Sequence, residues 1–106
     1  MVRIEIILFR NAMTLEEQHR WWLEDHAPLA RQMPKLRSYT INLAGRGESD
    51  EDPEICGTDT LAFDSWDDAM TAYNSAEWKR ARAHTEASGA RVLRTWIKDQ
   101  VTIPLP

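Results

Sequence analysis

The alternation of apolar and polar positions divides the chain into four predicted strands and two helical regions. Residues 2–9 alternate at first, with Ile4, Ile6 and Leu8 on one face, and then become apolar on the other face too. This pattern predicts a strand that is buried on both faces. Further strands are predicted at residues 36–44, 58–63 and 91–103, and helical segments at residues 15–26, 66–73 and 76–87.

Both helical regions have start signals in the sequence. Thr14 and Glu17 form a T-x-x-E capping box before the first helix, and Ser65 with Asp68 gives the related S-x-x-D pattern before the second. Between the second and third strands, residues 45–57 are polar, acidic and rich in turn-forming residues, which predicts the longest loop.

The first helix carries ring side chains where a core stripe would normally have leucines. Side chains three or four positions apart fall on one side of it: His19, Trp22, His26, Leu29 and Met33. Pro28 interrupts this region, because proline has no amide to donate to the carbonyl of Glu24. The helix is therefore predicted to kink there, which opens the backbone beside His26 to a side chain or a ligand.

The element order β-α-β-β-α-β predicts an α+β, ferredoxin-like protomer, in which a four-stranded antiparallel sheet carries both helical regions on one face. A chain of 106 residues has room for a single domain over residues 1–106. The other face of the sheet would be uncovered, yet the first strand is apolar on that face as well. We therefore expect a second copy of the chain to cover it in a homodimer.

Composition excludes several classes of protein. The formal charge is −4 and the basic residues are scattered, which argues against nucleic acid as a partner. No apolar run approaches the roughly 20 residues of a membrane span, and the N-terminus has no signal-peptide pattern, so we expect a cytoplasmic protein without membrane contact. The single cysteine, Cys56, excludes an internal disulfide, and no cysteine–histidine cluster indicates a metal site. Five tryptophans point to an aromatic binding surface.

Residues 14–39 resemble the start of the EthD family. The resemblance rests on W-x-x-x-H-A-P-L, which begins at Trp22, and on P-x-L-x-x-Y, which begins at Pro34. Farther along the chain, F-D-S at residues 63–65 and S-A-E-W at residues 75–78 resemble family sequences around the second helix. The resemblance extends over nearly the whole chain.

The third strand departs from the family pattern. Relatives often carry a carboxylate shortly before the Phe-Asp pair, where this chain has Thr60, Leu61 and Ala62. Asp59 is near, but strand alternation predicts that it points to the opposite face from Thr60. Without that carboxylate a single histidine must serve as both acid and base, which is a point for the alternative of a non-catalytic binding protein.

The resemblance implies a dimeric α/β barrel of ferredoxin-like protomers, with a ligand pocket between the sheet and the helices of each subunit. It also implies relatives that include methylmuconolactone isomerases, fungal polyketide dehydratases or decarboxylases, and proteins linked to ether degradation. These proteins act without a metal or an organic cofactor, so neither is expected here.

His26 and Tyr39 are the candidate catalytic residues. The ordinary pKa of histidine, about 6.5, suits proton transfer near neutrality, and the resemblance puts the family's acid–base histidine at position 26. The alternative is a core histidine bonded to a carbonyl that Pro28 leaves free. The Tyr39 hydroxyl can hydrogen-bond to a substrate carbonyl or an enolate, and a tyrosine that only anchors the helix is its alternative.

Four further residues are candidates for binding a small-molecule substrate: Trp22, Leu29, Trp78 and His84. Trp22 lies one turn before His26, close enough to form the floor of a shared pocket, although packing in the core is the competing interpretation. His84 reaches the pocket only if the second helical region turns that side inward.

These residues and the resemblance predict a cofactor-free isomerase or lyase that moves protons in a small oxygenated ring compound, such as a lactone, a phenol or a polyketide-like molecule. Two alternatives stay open. A non-catalytic binder or accessory protein of a degradation pathway would hold a ligand in the same pocket. A cofactor-free monooxygenase would use tryptophan and oxygen beside an activated phenol.

Overall fold

The computed structural model describes all 106 residues. Its strands are β1 (Val2–Phe9), β2 (Ser38–Leu43), β3 (Ile55–Phe63) and β4 (Val92–Ile97). Its α-helices are α1 (Leu15–Trp21), α2 (Ala27–Ala30), α3 (Trp66–Tyr73) and α4 (Ala76–Ala87), and a π-helical turn, Trp22–His26, joins α1 to α2. The strands form one antiparallel sheet in the order β2-β3-β1-β4. The predicted α+β, ferredoxin-like fold is therefore confirmed.

Several predicted strand boundaries are wrong. β3 begins at Ile55 rather than at residue 58, because β1 continues to Phe9 and pairs with Ile55 there. β4 ends at Ile97 rather than at residue 103, because it is an edge strand whose only neighbour, β1, offers no partner beyond Arg3. β2 begins at Ser38 rather than at residue 36.

The start signals of the helices are confirmed. The hydroxyl oxygens of Thr14, Ser65 and Ser75 each accept a hydrogen bond, 3.1 Å long, from the amide three residues farther on. After α4, Gly89 adopts a φ of +78°, a left-handed conformation that favours glycine and ends the helix. No helix combines the length and the hydrophobicity that a membrane crossing needs.

Strand register divides the sheet into a covered face and an open face. On the covered face, Ile4 of β1 lies between Leu61 of β3 and Trp96 of β4, and both Ile4 and Leu61 are buried under the helices. On the open face, Glu5 lies between Thr60 and Thr95. The candidate site described below lies on the covered face.

Candidate active site

The chain opens into a π-helical turn just before Pro28, where the sequence predicts a break. The Ala27 amide donates to the carbonyl of Trp22, five residues back instead of the usual four. Pro28 follows at once and has no amide for the carbonyl of Glu24. The first and last residues of the turn both face inward, since Trp22 is 1% exposed and His26 is 9% exposed.

His26 pairs with His84 of α4. Their Nδ1 atoms are 3.0 Å apart, and the planes of the two rings differ by only 7°. The Trp21 indole stacks across both imidazoles, with its ring centroid 5.1 Å from each of theirs. The indole therefore packs against both imidazoles, and the two histidine rings lie nearly parallel to each other.

Thr85 indicates which nitrogen of His26 carries the proton. Its hydroxyl donates to the carbonyl of Ala81 over 3.2 Å, so the Thr85 oxygen presents a lone pair to His26 Nε2, 3.4 Å away. From this network we assign the proton of neutral His26 to Nε2, which leaves Nδ1 to accept from His84. Burial, followed by the charge of His84, lowers the pKa of His26 from 6.5 to about 4. His26 is therefore a neutral imidazole at neutral pH.

A cavity of about 50 Å³ lies between the sheet and the helices, beside this histidine. Apolar side chains form most of its wall, and its charged or titratable members are His26, Asp59, Arg82 and Arg94. This volume holds a few water molecules and is well below the roughly 300–1,000 Å³ of pockets that enclose drug-sized ligands. A ring compound must therefore displace part of the wall or insert only one edge.

Asp59 contributes a buried carboxyl group from the middle of β3. It is 5% exposed, and its Oδ1 has no hydrogen-bond partner. Burial, followed by the charge of Glu5, raises the pKa of Asp59 from 3.8 to about 7, although Tyr39 and Arg94 oppose the shift. Near neutrality this carboxyl group is thus present in both its acid and its base form.

Tyr39 lies beside Asp59 rather than in the wall of the cavity. Its hydroxyl is buried, and like Asp59 Oδ1 it makes no hydrogen bond of normal geometry. Burial and the negative charge of Asp59 raise the pKa of Tyr39 above its usual value. Tyr39 consequently stays protonated and keeps a hydroxyl donor close to the carboxyl group.

The other predicted residues divide between the cavity and its surroundings. Trp22 and Trp78 line the cavity with His26, whereas His84 contacts His26 from outside the lining. Leu29 is half-buried and is not part of the lining. The sequence interpretation missed Asp59 as a site residue. Strand alternation could have found it, because Asp59 shares a face with the buried Leu61.

Two further residues considered from the sequence, His19 and Cys56, lie outside the cavity and belong to the packing of the fold. His19 Nε2 lies 2.9 Å from the carbonyl oxygen of Cys56, which ties α1 to β3. The Cys56 thiol is fully buried, and burial raises its pKa to about 11, so it stays protonated. No group of three or more histidine, cysteine, aspartate or glutamate side chains is arranged to hold a metal ion.

Solved structures with the same fold support this architecture. An ethyl tert-butyl ether D (EthD) family protein from Bacillus halodurans is 17% identical, with a TM-score of 0.69, over 90% of this chain and 97% of that one. SnoaB, a cofactor-independent oxygenase from Streptomyces nogalater, is 14% identical, with a TM-score of 0.65, over 98% of both chains. A dimeric ferredoxin-like protein of unknown function from Jannaschia sp. is 13% identical, with a TM-score of 0.65, over 92% of this chain and 98% of that one. Likeness at these identities shows the fold alone.

The sequence itself identifies the family. We found no match among curated proteins. The model of the EthD domain, however, matches residues 10–87, which include the π-helical turn, β3 and most of the cavity wall. Because this match covers most of the chain, the protein belongs to the EthD family.

Proposed function

We propose that this protein is a cofactor-free isomerase or lyase that transfers a proton within a small oxygenated ring compound, such as a lactone, a phenol or a polyketide-like molecule. One observation carries the proposal: an unpartnered, buried carboxyl group, Asp59, shares a cavity with a neutral histidine, His26. The pKa of Asp59 is raised to about 7 and that of His26 is lowered to about 4. Opposite shifts of two neighbouring titratable groups are typical of an acid–base pair.

Asp59 is the proposed base. A carboxylate whose pKa lies near the working pH can take a proton from carbon and return it to another position. His26 is the proposed hydrogen-bond donor to the substrate oxygen on which negative charge develops, because its Nε2–H has only the long 3.4 Å contact with the Thr85 oxygen to exchange for it. Tyr39 does not line the cavity, so its proposed role is to position the Asp59 carboxyl group.

The rings of Trp22 and Trp78 are the proposed contacts for the body of the substrate. Both line the cavity and are almost fully buried. Flat aromatic walls suit an unsaturated or oxygenated ring, which stacks against them or meets their edges. Leu29, which lies outside the lining, has no part in the proposal.

The test is proton exchange in deuterated water with a panel of lactones, phenols and small cyclic ketones. The wild type should incorporate deuterium at the acidic carbon of one class, and Asp59→Asn should lower that rate by about 10²–10⁴-fold. Asp64→Asn, a change of an exposed carboxylate just after β3, is the matched control and should leave the rate unchanged. A folded Asp59→Asn variant with the wild-type rate would refute the assignment, and so would a folded, fully active His26→Ala variant.

A cofactor-free monooxygenase is the second candidate. The specific observation in its favour is the pair of tryptophans in the cavity wall, together with the fold shared with the cofactor-independent oxygenase SnoaB. The same panel under air and under nitrogen distinguishes the two chemistries. Conversion that needs oxygen supports the monooxygenase, anaerobic conversion supports the isomerase or lyase, and binding without conversion supports a non-catalytic role.

The proposal includes a homodimer formed through the open face of the sheet. Leu93 on that face is 51% exposed, and Ile7 is its neighbour on β1. A second copy of the chain would remove this apolar surface from water. Sedimentation should give twice the mass of one chain, and Leu93→Asp should give monomers. Leu23→Asp, which changes a leucine that is 49% exposed in the helical layer, should remain dimeric. A wild-type protein that sediments as a monomer would exclude the dimer.

A further inference from the structure

Two arginines without a carboxylate partner line the same cavity. Arg82 comes from α4 and Arg94 from β4. The salt bridges of the chain are made by other arginines: Arg10, Arg37 and Arg46. No carboxylate oxygen lies within 4.0 Å of a guanidinium nitrogen of either cavity arginine.

Arg82 is held by a tyrosine rather than by an acid. Its Nη2 lies 3.4 Å from the hydroxyl of Tyr73, and its Cζ lies 5.7 Å from the centre of the same ring. Its Nε is buried and has no hydrogen-bond partner. A guanidinium N–H that is removed from water without an acceptor costs free energy until an acceptor reaches it.

Arg94 is close enough to Arg82 for the two charges to repel. Burial, followed by the charge of Arg82, lowers the pKa of Arg94. Glu86 of α4, Asp59 of β3 and Tyr73 of α3 act in the opposite direction but do not cancel this effect. The wall of the cavity therefore carries two like charges, neither of them in a salt bridge, although Arg94 is also exposed to water.

Strand register fixes the spacing between Arg94 and the proposed base. On the covered face, Ile6 of β1 lies between Arg94 of β4 and Asp59 of β3. Neighbouring strands are about 4.8 Å apart, so the Cα atoms of Arg94 and Asp59 are roughly 10 Å apart. Both side chains extend from the same face into the cavity, so a small ring can place one carboxylate arm at the arginines and an acidic carbon beside Asp59.

We propose that Arg82 and Arg94 together bind a carboxylate group of the substrate, so that the site takes an anionic ring compound rather than a neutral one. This rests on the proposed function, because it names the substrate class of the same cavity. Guanidinium groups offer paired N–H donors that match the two oxygens of a carboxylate. A carboxylate is also small and planar, which suits a cavity of about 50 Å³.

The experiment compares benzoate with benzamide, a neutral molecule of nearly the same shape, by calorimetry and by nuclear magnetic resonance titration near pH 6. Benzoate should bind and benzamide should bind at least about tenfold more weakly. Arg82→Gln and Arg94→Gln should each weaken benzoate binding by about tenfold, and the double variant should abolish it. Arg80→Gln, which changes an exposed arginine of α4, should leave it unchanged.

Three results would overturn the proposal. They are equal affinity for benzoate and benzamide, undiminished benzoate binding in the folded double variant, and tighter binding of inorganic phosphate than of benzoate.

Failure of the proposed function is separately recognisable. Asp59→Asn should keep or strengthen benzoate binding, because it removes a nearby negative charge, while it abolishes proton exchange. If Asp59→Asn binds benzoate and also keeps the wild-type rate of proton exchange, the acid–base assignment is refuted and the anion site remains supported.

The pH dependence of benzoate binding gives an internal check. The titratable and charged groups around the arginines are Asp59 on β3, Glu86 on α4, Tyr73 on α3 and His26 on the π-helical turn. The pKa of Asp59 is about 7, so this carboxyl group gains a negative charge close to neutrality and the affinity for benzoate should fall as the pH rises through that value. Asp59→Asn should flatten that fall, and an unchanged fall in this variant would contradict the proximity of Asp59 to the bound carboxylate.

Discussion

Asp59→Asn should make the protein less active and more stable, and the gain in stability should depend on pH. The pKa of Asp59 is 3.8 in the unfolded chain and about 7 in the folded protein. Between these two pH values the folded protein therefore keeps a proton on Asp59 that the unfolded chain has lost. The free energy of unfolding therefore falls as the pH rises from about 4 to about 7 and is constant above that. At about 1.4 kcal/mol for each pH unit, the ionised carboxylate costs about 4 kcal/mol at about pH 8.

His26 acts in the opposite direction over part of the same range. Its pKa is 6.5 when unfolded and about 4 when folded, so the unfolded state binds more protons between these values. Stability from this residue is lost as the pH falls from about 6.5 to about 4, and the loss is about 3 kcal/mol. In the wild type, Asp59 and His26 change the free energy of unfolding with pH in opposite directions, and the two effects nearly cancel between about pH 4 and about pH 6.5. Asp59→Asn removes the contribution of Asp59, so the stability of this variant should rise with pH over the same interval.

The assay is urea unfolding followed by tryptophan fluorescence, from about pH 4 to about pH 8. We expect a single cooperative transition, because one sheet carries both helical regions. An unpartnered buried amide in Asp59→Asn costs about 1–3 kcal/mol, but this cost is the same at every pH. The stability difference between variant and wild type should therefore grow by about 4 kcal/mol across the range. A stability difference between Asp59→Asn and the wild type that stays constant with pH would refute the pKa of about 7.

Two further predictions concern the walls of the site. A Cβ atom on Gly57 would overlap the backbone oxygen of Asn42 and come within 2.9 Å of Trp22 Cζ3, so Gly57→Ala should destabilise the protein by at least about 2 kcal/mol in urea unfolding. Gly45→Ala, which meets nothing within 4 Å, is the control, and equal effects of the two changes would contradict the clash. His84→Asn should raise the pKa of His26 only part of the way to 6.5, because burial is the larger cause of its shift; nuclear magnetic resonance titration measures this, and an unchanged pKa would contradict the charge interaction.

The sequence predicted the elements that depend on local chemistry. Hydroxyls at Thr14 and Ser65 cap their helices as the capping patterns require, and Pro28 breaks the helix because its missing amide is a property of the residue itself. Strand lengths were less predictable, since β4 stops where β1 no longer offers a partner.

The site could be predicted only in part, because its chemistry depends on contacts between distant elements. Alternation gives the direction in which Asp59 points, but its raised pKa needs Glu5 nearby and a helical layer that excludes water. The pairing of His26 with His84 joins residues that are 58 positions apart. It requires a particular rotation of α4, which neither local sequence specifies.

The imidazole pair has a consequence for how the site exchanges protons with water. His84 is only half-buried, whereas His26 is nearly inaccessible, and the 3.0 Å contact between their Nδ1 atoms joins the two environments. A proton can therefore pass between His26 and bulk water through His84. The Trp21 indole leaves this route intact, since it stacks on the faces of the rings and not on their edges. The protonation state of the cavity can thus be reset while a molecule still occupies it.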